Sequence, residues 1–414
     1  MSDIEWIETT VGEYCPFIYG KALPQSKRIS GNIPVYGSNG IVDFHNSSCV
    51  NTAGVIIGRK GSVGAIHLSE KPFWVIDTAF YIVNDDLEEL KFTYYLLKTL
   101  RLSEMNSDSA VPGLNRENAH SLKIKIPKDK FHRCEIGKRL SIFDQKIQLN
   151  TQINQTLEQI AQALFKSWFV DFDPVRAKVQ ALSDGLSLEQ AELAVMQAIS
   201  GKTAEELTAL SQTQPERYAE LAETAKAFPC EMVEVDGVEV PKGWKIQYLK
   251  DICNIVYGKN LPTTKLIKEG YPVFGGNGVI GYYDKFLYET PQTLVSCRGA
   301  ASGKVLYSLP YSFVTNNSLV IEHEKSGLSY FYIYETLKLQ NLTELTSGSA
   351  QPQMTIANMA SIQILIPSEK INEVYKKYVG TLYDKKYHNN IENETLAQTR
   401  DLLLPRLLSG DFNG

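Results

Sequence analysis

The sequence predicts an α+β protein. It would consist of two tandem repeated mixed α/β modules separated by two long antiparallel coiled-coil helices, with a pseudo-two-fold axis. Three observations predict this. One long segment of sequence recurs once along the chain. Each copy is rich in short β-type runs punctuated by Gly, Pro and Asn. Each copy is then followed by a run with the hydrophobic spacing of a coiled coil.

The repeat is visible in matching segments. Residues 19–24 (YGKALP) recur as residues 257–262 (YGKNLP), and residues 33–40 (IPVYGSNG) recur as residues 271–278 (YPVFGGNG). The same spacing aligns Trp6 with Trp244 and Cys15 with Cys253. With an offset that drifts by only about two residues, 58–64 (GRKGSVG) align with 297–303 (CRGAASG), 109–112 (SAVP) with 349–352 (SAQP), and 126–127 with 366–367. Solenoid and propeller repeats run about 20–50 residues, so a unit this long indicates a pseudo-dimer within one chain.

The chain divides into five parts. The modules span residues 1–130 and 241–369, and they contain β-type runs such as 55–57, 73–76, 319–321 and 362–366. Single helices are predicted at 90–102 and 327–338. The long spacer helices occupy residues 131–175 and 370–414, the second including the C-terminal tail. Residues 176–240 form an acidic helical insert or linker.

The spacer helices are predicted from apolar residues at alternating spacings of four and three. In the first helix these are Ile136, Leu140, Phe143, Ile147, Leu157, Ala161, Leu164 and Trp168; in the second they are Tyr375, Val379, Leu382, Leu396 and Leu403. A helix of about 36 residues would be about 54 Å long.

Four asparagines fall on seam positions of these helices: Asn150 and Asn154 in the first, and Asn389 and Asn393 in the second. A buried Asn weakens a coiled coil but fixes its register and partner number. The alternative is that the seam faces water at this point. If the asparagines fix the register, Asn150→Leu should stabilise the helix pair and permit alternative pairing.

Charge and composition restrict the function classes. The net charge is −5, but residues 176–240 carry 12 acidic and 5 basic residues, so the remainder is close to +2. That permits DNA binding without arguing for it. The absence of long apolar runs, of a basic-then-apolar N-terminus and of Cys-x-x-Cys pairs predicts a soluble cytoplasmic protein with reduced thiols.

In this layout the chain resembles the specificity subunits of type I restriction–modification systems. The most characteristic segments are 157–172 (LEQIAQALFKSWFVDF), 396–410 (LAQTRDLLLPRLLSG) and 240–244 (VPKGW). The resemblance implies that each module recognises one half of a split, asymmetric double-stranded DNA target. It also implies that the helix pair sets the distance between the halves and binds two methyltransferase subunits, which restriction/translocase subunits join. S-adenosylmethionine, ATP and Mg²⁺ would belong to those partners, and this chain would hold no cofactor.

The insert departs from a minimal member of that family. Residues 187–190 (SLEQ) and 203–206 (TAEE) are typical of capping boxes that open short helices. The insert could touch a partner, but we interpret it as a solvated elaboration.

No catalytic site is evident in the sequence. An amino-methyltransferase needs an Asn/Asp-Pro-Pro-aromatic loop, which is missing. Residues 299–305 (GAASGKV) lack the spacing and the final Ser/Thr of a P-loop. The histidines form no metal-binding pattern, so no metal site is predicted. The alternatives to a DNA-specificity subunit are a non-DNA scaffold that grips two copies of a protein, or a free-standing enzyme whose motifs are missing.

The repeat sorts the candidate DNA contacts. Shared positions should fold the module and hold phosphates, whereas divergent ones should select sequence, because base contacts specify. Asn or Gln pairs with adenine, and Arg or Lys with guanine. Asn39 and Asn277 could equally be turn residues, and Arg59 and Arg298 could be solvated at strand ends. The full set of candidates is Ser38, Asn39, Arg59, Lys60, Ser62, Trp74, Asp77, Thr78, Asn277, Arg298, Ser302, Thr315, Asn316, Asn317 and Gln351. The loops 106–108 and 346–348 are further candidates.

Overall fold

The structure is a computed structural model that describes residues 4–105, 113–346 and 352–409. It separates into two compact units. The first unit comprises residues 1–152 and 389–414, and the second comprises residues 153–388. Each unit therefore contains one module together with part of each long helix.

The first module is built from nine strands and three short helices within its described residues. In chain order they are β1 (Trp6–Thr10), α1 (Val11–Tyr14), β2 (Ile18–Tyr19), β3 (Ile33–Gly37), β4 (Gly40–His45), β5 (Gly54–Gly58), β6 (Ile66–Ser69), β7 (Trp74–Val75), β8 (Ala79–Val83), α2 (Leu87–Thr99), α3 (Arg116–His120) and β9 (Lys123–Pro127). They form a four-stranded sheet in the order β2-β8-β5-β6, a three-stranded sheet β4-β3-β7 and the pair β1-β9.

The central strand of the larger sheet illustrates why the sequence folds this way. The segment Gly-Val-Ile-Ile-Gly of β5 is fully buried and pairs with β8 on one side and β6 on the other. β-Branched residues suit such a position. The side chain of Asp86 caps α2 by accepting from the backbone N–H groups of Glu88 and Glu89. The cap explains why this helix begins at Leu87, three residues before the predicted start at 90.

A long helix and a helical segment follow the first module. They are α4 (Lys130–Phe169), α5 (Asp173–Ser183), α6 (Leu188–Ser200), α7 (Ala204–Thr213), α8 (Pro215–Ala227), and the hairpin strands β10 (Met232–Val235) and β11 (Val238–Pro241). The prediction of one helix through residue 175 was wrong. Helix α4 ends at Phe169. Phe172 then takes a left-handed conformation with φ 57°, and Pro174 stands in the first turn of α5.

The second module repeats the first strand for strand. Its elements are β12 (Lys245–Tyr248), α9 (Leu249–Ile252), β13 (Asn254–Tyr257), β14 (Tyr271–Gly275), β15 (Gly278–Tyr283), β16 (Thr293–Ser296), β17 (Val305–Tyr307), β18 (Phe313–Val314), β19 (Ser318–Glu322), α10 (Tyr330–Lys338), α11 (Ile356–Ala360) and β20 (Gln363–Ile366), followed by the long helix α12 (Glu369–Ser409). Its sheets are β13-β19-β16-β17, β15-β14-β18 and β12-β20. The sequence repeat is therefore a repeat of fold, as predicted. The helix expected at 327–338 begins later, after the Ser329 cap.

The two long helices pair antiparallel within each unit. In the first unit, Asp144 of α4 binds Arg400 of α12, and further along α4 Lys146 lies 3.5 Å from Glu392. Residue numbers rise along one helix as they fall along the other. The helices have 40 and 41 residues, which corresponds to about 60 Å, somewhat longer than predicted.

The second unit shows the same antiparallel direction in its own segments of these helices. Glu158 of α4 binds Lys386 of α12 at 2.9 Å, and the Phe165 ring of α4 lies 6.1 Å from that of Tyr375. The side chains of this pair are continuous with the core of the second module.

Three of the four seam asparagines, Asn150, Asn154 and Asn389, are buried rather than facing water, and Asn393 is half-buried. Asn150 is 1% exposed, and its Nδ2 donates to Glu392 Oε2 at 2.8 Å and to Asn393 Oδ1 at 3.0 Å. Asn389 is also buried, and Asn154 Nδ2 donates to the backbone carbonyl of Lys386 at 3.4 Å. That these residues set the register stays a prediction.

The acidic insert is part of the core of the second unit, so its interpretation as a solvated elaboration was wrong. The predicted capping boxes at Ser187 and Thr203 are confirmed. The helices that they open bury Val195 and Leu207 in the same cluster as Trp244. Their acidic residues lie largely on the outer faces, which is why charge alone suggested a solvated segment.

Within the described residues, none of the helices combines the length and the apolar character needed to cross a bilayer.

Candidate nucleic-acid interface

Arg59 stands at the end of β5 in the first module. Its backbone N–H donates to the Thr78 carbonyl at 2.9 Å, and its Nη1 donates to the Asp77 carbonyl at 3.2 Å. The guanidinium carbon lies 5.0 Å from the ring centroid of Tyr19 and 5.7 Å from that of Phe80. Stacking on aromatic rings holds an Arg in place while leaving other N–H groups available to a ligand.

A second guanidinium contacts the same phenol ring. Arg116, at the start of α3, lies 5.1 Å from the centroid of Tyr19, and it pairs with Glu117 at 2.9 Å. Tyr19 is 49% exposed. Two arginines and an exposed aromatic ring thus form one surface cluster, Tyr19–Arg59–Arg116, whose donors suit phosphate or base-edge acceptors.

His120 helps to position this cluster. The backbone N–H of Phe17, just before β2, donates to His120 Nε2 at 2.8 Å, and the two rings meet edge to face at 5.2 Å. Burial, with a smaller contribution from the positive charge of Arg116, lowers the pKa of His120. The imidazole is therefore neutral at pH 7, which is the form that can accept this hydrogen bond.

Lys21 lies beside the cluster in the sequence and contacts Trp74. Its Nζ lies 5.8 Å from the centroid of the Trp74 ring, and Trp74 Nε1 donates to the Lys21 carbonyl at 2.8 Å. Trp74 is half-buried, so its indole mainly holds this segment in place. Lys60 and Ser62 are exposed on the loop after Arg59, and Asp77 is also exposed.

Ser38 is a structural residue rather than a surface candidate. It is buried, and its hydroxyl donates to the Thr78 carbonyl at 2.5 Å. That carbonyl also accepts from the backbone N–H groups of Arg59 and Lys60. Ser38 and Thr78 therefore brace the loop that carries Arg59, and the prediction of Ser38 as a DNA contact is corrected.

Asn39 and Asn277 occupy corresponding two-residue hairpin turns. Asn39 joins β3 to β4, and Asn277 joins β14 to β15. The glycines that follow, Gly40 and Gly278, have φ of 100° and 126°, so the turn needs glycine there. Both asparagine side chains are exposed and thus remain candidates for contact with DNA.

In the second module fewer of the residues predicted to contact DNA are exposed. Arg298 is exposed, and its backbone pairs with that of Gln353. Ser302 and Thr315 are buried, so their prediction as surface contacts is wrong, because alignment of the repeat does not report exposure. Asn317 is exposed.

Two further candidates complete the set. Asn316 is half-buried, and its carbonyl accepts from the Cys297 thiol at 3.4 Å. Gln351 lies outside the described residues, as do residues 106–108, 347 and 348.

Sequence reasoning missed three residues of the first module's surface. Tyr19 and Lys21 could have been found, because the segment Tyr-Gly-Lys recurs at Tyr257. Arg116 carried no such signal, because the corresponding first residue of α11 is Ile356. Among the described residues, no group of acidic, His and Cys side chains could hold a metal ion. The chemistry that this surface offers is therefore binding by cations, amides and aromatic rings.

Comparison with known proteins agrees with this arrangement. A family model described as "Type I restriction modification DNA specificity domain" matches residues 3–159 and again residues 241–397. The chain is 43% identical over 377 residues to the type I restriction enzyme HindI specificity subunit of Haemophilus influenzae, which covers 82% of this chain and 81% of that protein. It is 22% identical over 384 residues to the MjaIX specificity subunit of Methanocaldococcus jannaschii, covering 86% and 77%.

A solved structure shares the fold. The crystal structure of a type I restriction–modification S subunit from M. genitalium aligns with a TM-score of 0.58 at 17% identity, covering 99% of this chain and 97% of that one. The two family matches together span most of the sequence, and they coincide with the two modules and the start of each long helix. The chain therefore belongs to the family of specificity subunits of type I restriction–modification systems.

Proposed function

We propose that each module of this specificity subunit recognises one half of a split, asymmetric DNA duplex target. The duplicated fold supports this, because two similar modules with different surface residues suit two different half-sites. As a specificity subunit the chain is a non-catalytic component of its system. It selects the site at which other subunits act.

The observation that carries the proposal is the Tyr19–Arg59–Arg116 cluster. Both guanidiniums are held against one exposed ring, and the loop of Arg59 is braced by Ser38 and the Thr78 carbonyl. Such preorganisation lowers the entropy lost on binding a phosphate or a base edge.

In the second module Tyr257 corresponds to Tyr19 and is exposed. The structure corrects the alignment of residues 58–64 with 297–303: Arg298 bridges Gln353 as Lys60 bridges Gly113, so the exposed Arg298 corresponds to Lys60, and Cys297 corresponds to Arg59.

Differences between the modules supply the selectivity. Arg116 corresponds to Ile356, and Arg59 to Cys297, so the first module carries two more cations at these positions. We assign the shared basic position of Lys60 and Arg298 to contacts that both modules make, and the divergent positions, Arg59 among them, to the choice of sequence.

The partners follow from the family. We propose that the chain binds two modification subunits and that restriction subunits join them, with S-adenosylmethionine, ATP and Mg²⁺ held by those partners. The assembly would work in the cytoplasm, where cellular DNA is accessible. A scaffold that binds protein only is the alternative, and a sequence-specific footprint of the assembled complex on DNA would rule it out.

Arg59→Ala tests the proposal. Binding is measured with duplexes that carry one intact half-site and one scrambled half-site, over a series of salt concentrations. We expect weaker binding, by about 1–3 kcal/mol, only where the first half-site is the intact one. Arg298→Ala is the matched control and should affect only the other half. Equal losses on both duplexes for either variant would contradict the assignment.

A further inference from the structure

The first unit contains a groove of about 730 Å³ that the DNA contacts above do not use, apart from the hairpin turn at its rim. It is lined by residues of β4 and β6 and by residues of α2 and α4. All the lining residues lie within the first unit.

One wall of the groove is the edge of a sheet. β6 pairs with β5 from Ile66 to Ser69, and among the strands that the structure describes it is the last in its sheet. All four residues of β6 line the groove. An edge strand presents backbone N–H and C=O groups to which an extended peptide can add as a further strand.

One buried polar atom in the groove lacks a partner. His67, in the middle of β6, has a buried Nε2 with no hydrogen bond. A buried polar atom left unpaired is costly, so a group that supplies the missing hydrogen bond gains affinity. Gln145 and Gln148 bring exposed amides from α4, and such amides can both donate to and accept from a peptide backbone.

In the second module the chain's own side chains lie against the corresponding strand. The strand registers align β17 with β6, so that Leu306 corresponds to His67 and Tyr307 to Leu68. The Tyr307 ring lies 5.1 Å from that of Tyr334 and 5.4 Å from that of Tyr383. Aromatic side chains of the chain itself thus cover this strand in the second module.

The helices that lie beside this strand also carry charged residues in the first module and aromatic residues in the second. Aligning the cation–π pair Tyr94–Lys98 of α2 with Tyr334–Lys338 of α10 sets Lys91 against Phe331. Aligning the seam asparagines sets Asp144 against Tyr383, and Phe331 and Tyr383 stack at 5.1 Å. In the first module charged residues stand where the second module has packed rings, and those rings cover the corresponding strand β17.

We propose that this groove binds an extended segment of one modification subunit, which adds as a strand to the free edge of β6 and pairs with His67. The identity of the partner rests on the proposed function. Asn39 lines the groove, and its side chain is exposed on the hairpin turn that is a candidate for contact with DNA. The occupant therefore lies beside the duplex, where the subunit that methylates the target must act.

Hydrogen exchange tests this proposal in the complex of the full-length chain with its modification subunit. We expect the amides of Ile66 and Leu68, whose N–H groups point away from β5, to exchange at least ten-fold more slowly after assembly, whereas those of β17 do not change. Equal protection of β6 and β17, or no protection of β6, would overturn the proposal. Protection that appears only when the restriction subunit is added would overturn the choice of partner.

A groove-filling variant provides the second measurement. Leu68→Tyr introduces the residue that the second module has at this position, and it should remove the protection of β6 and weaken binding of the modification subunit at least ten-fold. Leu186→Tyr, at an exposed leucine far along the chain, is the matched control and should change neither. Gln148→Ala, at an exposed helix position, should weaken binding without affecting the fold.

Binding to DNA half-sites separates this proposal from the proposed function. If Leu68→Tyr binds the modification subunit as tightly as wild type while DNA recognition is intact, only the groove proposal fails. If β6 is protected on assembly while Arg59→Ala leaves DNA binding unchanged, the DNA-contact assignment fails and the groove proposal stands.

Discussion

Glu158 is predicted to be a main electrostatic contributor to the stability of the second unit. Its Oε1 accepts from Lys338 Nζ at 2.7 Å, and its Oε2 accepts from Lys386 Nζ at 2.9 Å. The Lys386 side chain is 8% exposed and lies between the Tyr307 and Tyr383 rings. Burial alone would raise the pKa of Glu158, but the two ammonium groups outweigh it and hold the pKa at about 2.

This pKa gives the magnitude and sign of the effect. The ordinary value is 4.5, and each unit of difference is worth about 1.4 kcal/mol. Because nearly a third of the Glu158 side chain is exposed, solvent screening reduces the contribution to about 2 kcal/mol. A carboxyl whose pKa is depressed on folding stabilises the protein above its unfolded pKa. The contribution is therefore complete above about pH 5 and is lost as the pH falls towards 2.

Glu158→Gln should therefore lower the free energy of unfolding by about 2 kcal/mol at pH 7 and by only about 0.5 kcal/mol at pH 2.5. Urea unfolding followed by tryptophan fluorescence measures this, because Trp168 and Trp244 are buried in the second unit. Glu394→Gln, at an exposed position of α12, is the control and should have little effect at either pH. A difference between wild type and Glu158→Gln that stays the same at both pH values would refute the reasoning.

Two further substitutions test the packing of the helices. Asn150→Leu should raise the melting temperature of the helix pair and allow other registers, because a buried apolar side chain replaces a buried amide. Disulfide trapping between engineered cysteines on α4 and α12 measures the register. A single unchanged register would count against a register-setting role of Asn150. Lys178→Met should lower the free energy of unfolding by about 1–3 kcal/mol, because the carbonyls of Ala225 and Phe228 lose the ammonium that donates to them at 3.1 Å and 3.0 Å. Urea unfolding measures this loss, and a neutral effect would show that the insert is not held to the core in this way.

The sequence predicted the larger features of the fold well. Two matching segments such as those beginning at Tyr19 and Tyr257 predicted two modules, and the structure repeats them strand for strand. The long helices were predicted from their apolar seam, but the end of α4 was misplaced. No Gly or Pro lies between Lys138 and Asp173, and the left-handed residue between α4 and α5 is a phenylalanine.

The candidate site was predicted less well, and the reasons are physical. Alignment of the repeat finds shared residues but not their exposure, so Ser302 and Thr315 were chosen although both are buried. Arg116 joins Arg59 only through the tertiary contact of both with Tyr19. The groove beside β6 depends on side chains from four distant segments, so no local pattern in the sequence could indicate it.

Exchange of the first module tests the central claim most directly. Residues 1–130 are replaced by the recognition module of another specificity subunit, and the adenines that become methylated in cells expressing the complete complex are mapped. If each module reads its own half, one half of the methylated sequence changes and the other half is retained. A change in both halves, or in neither, would contradict the account.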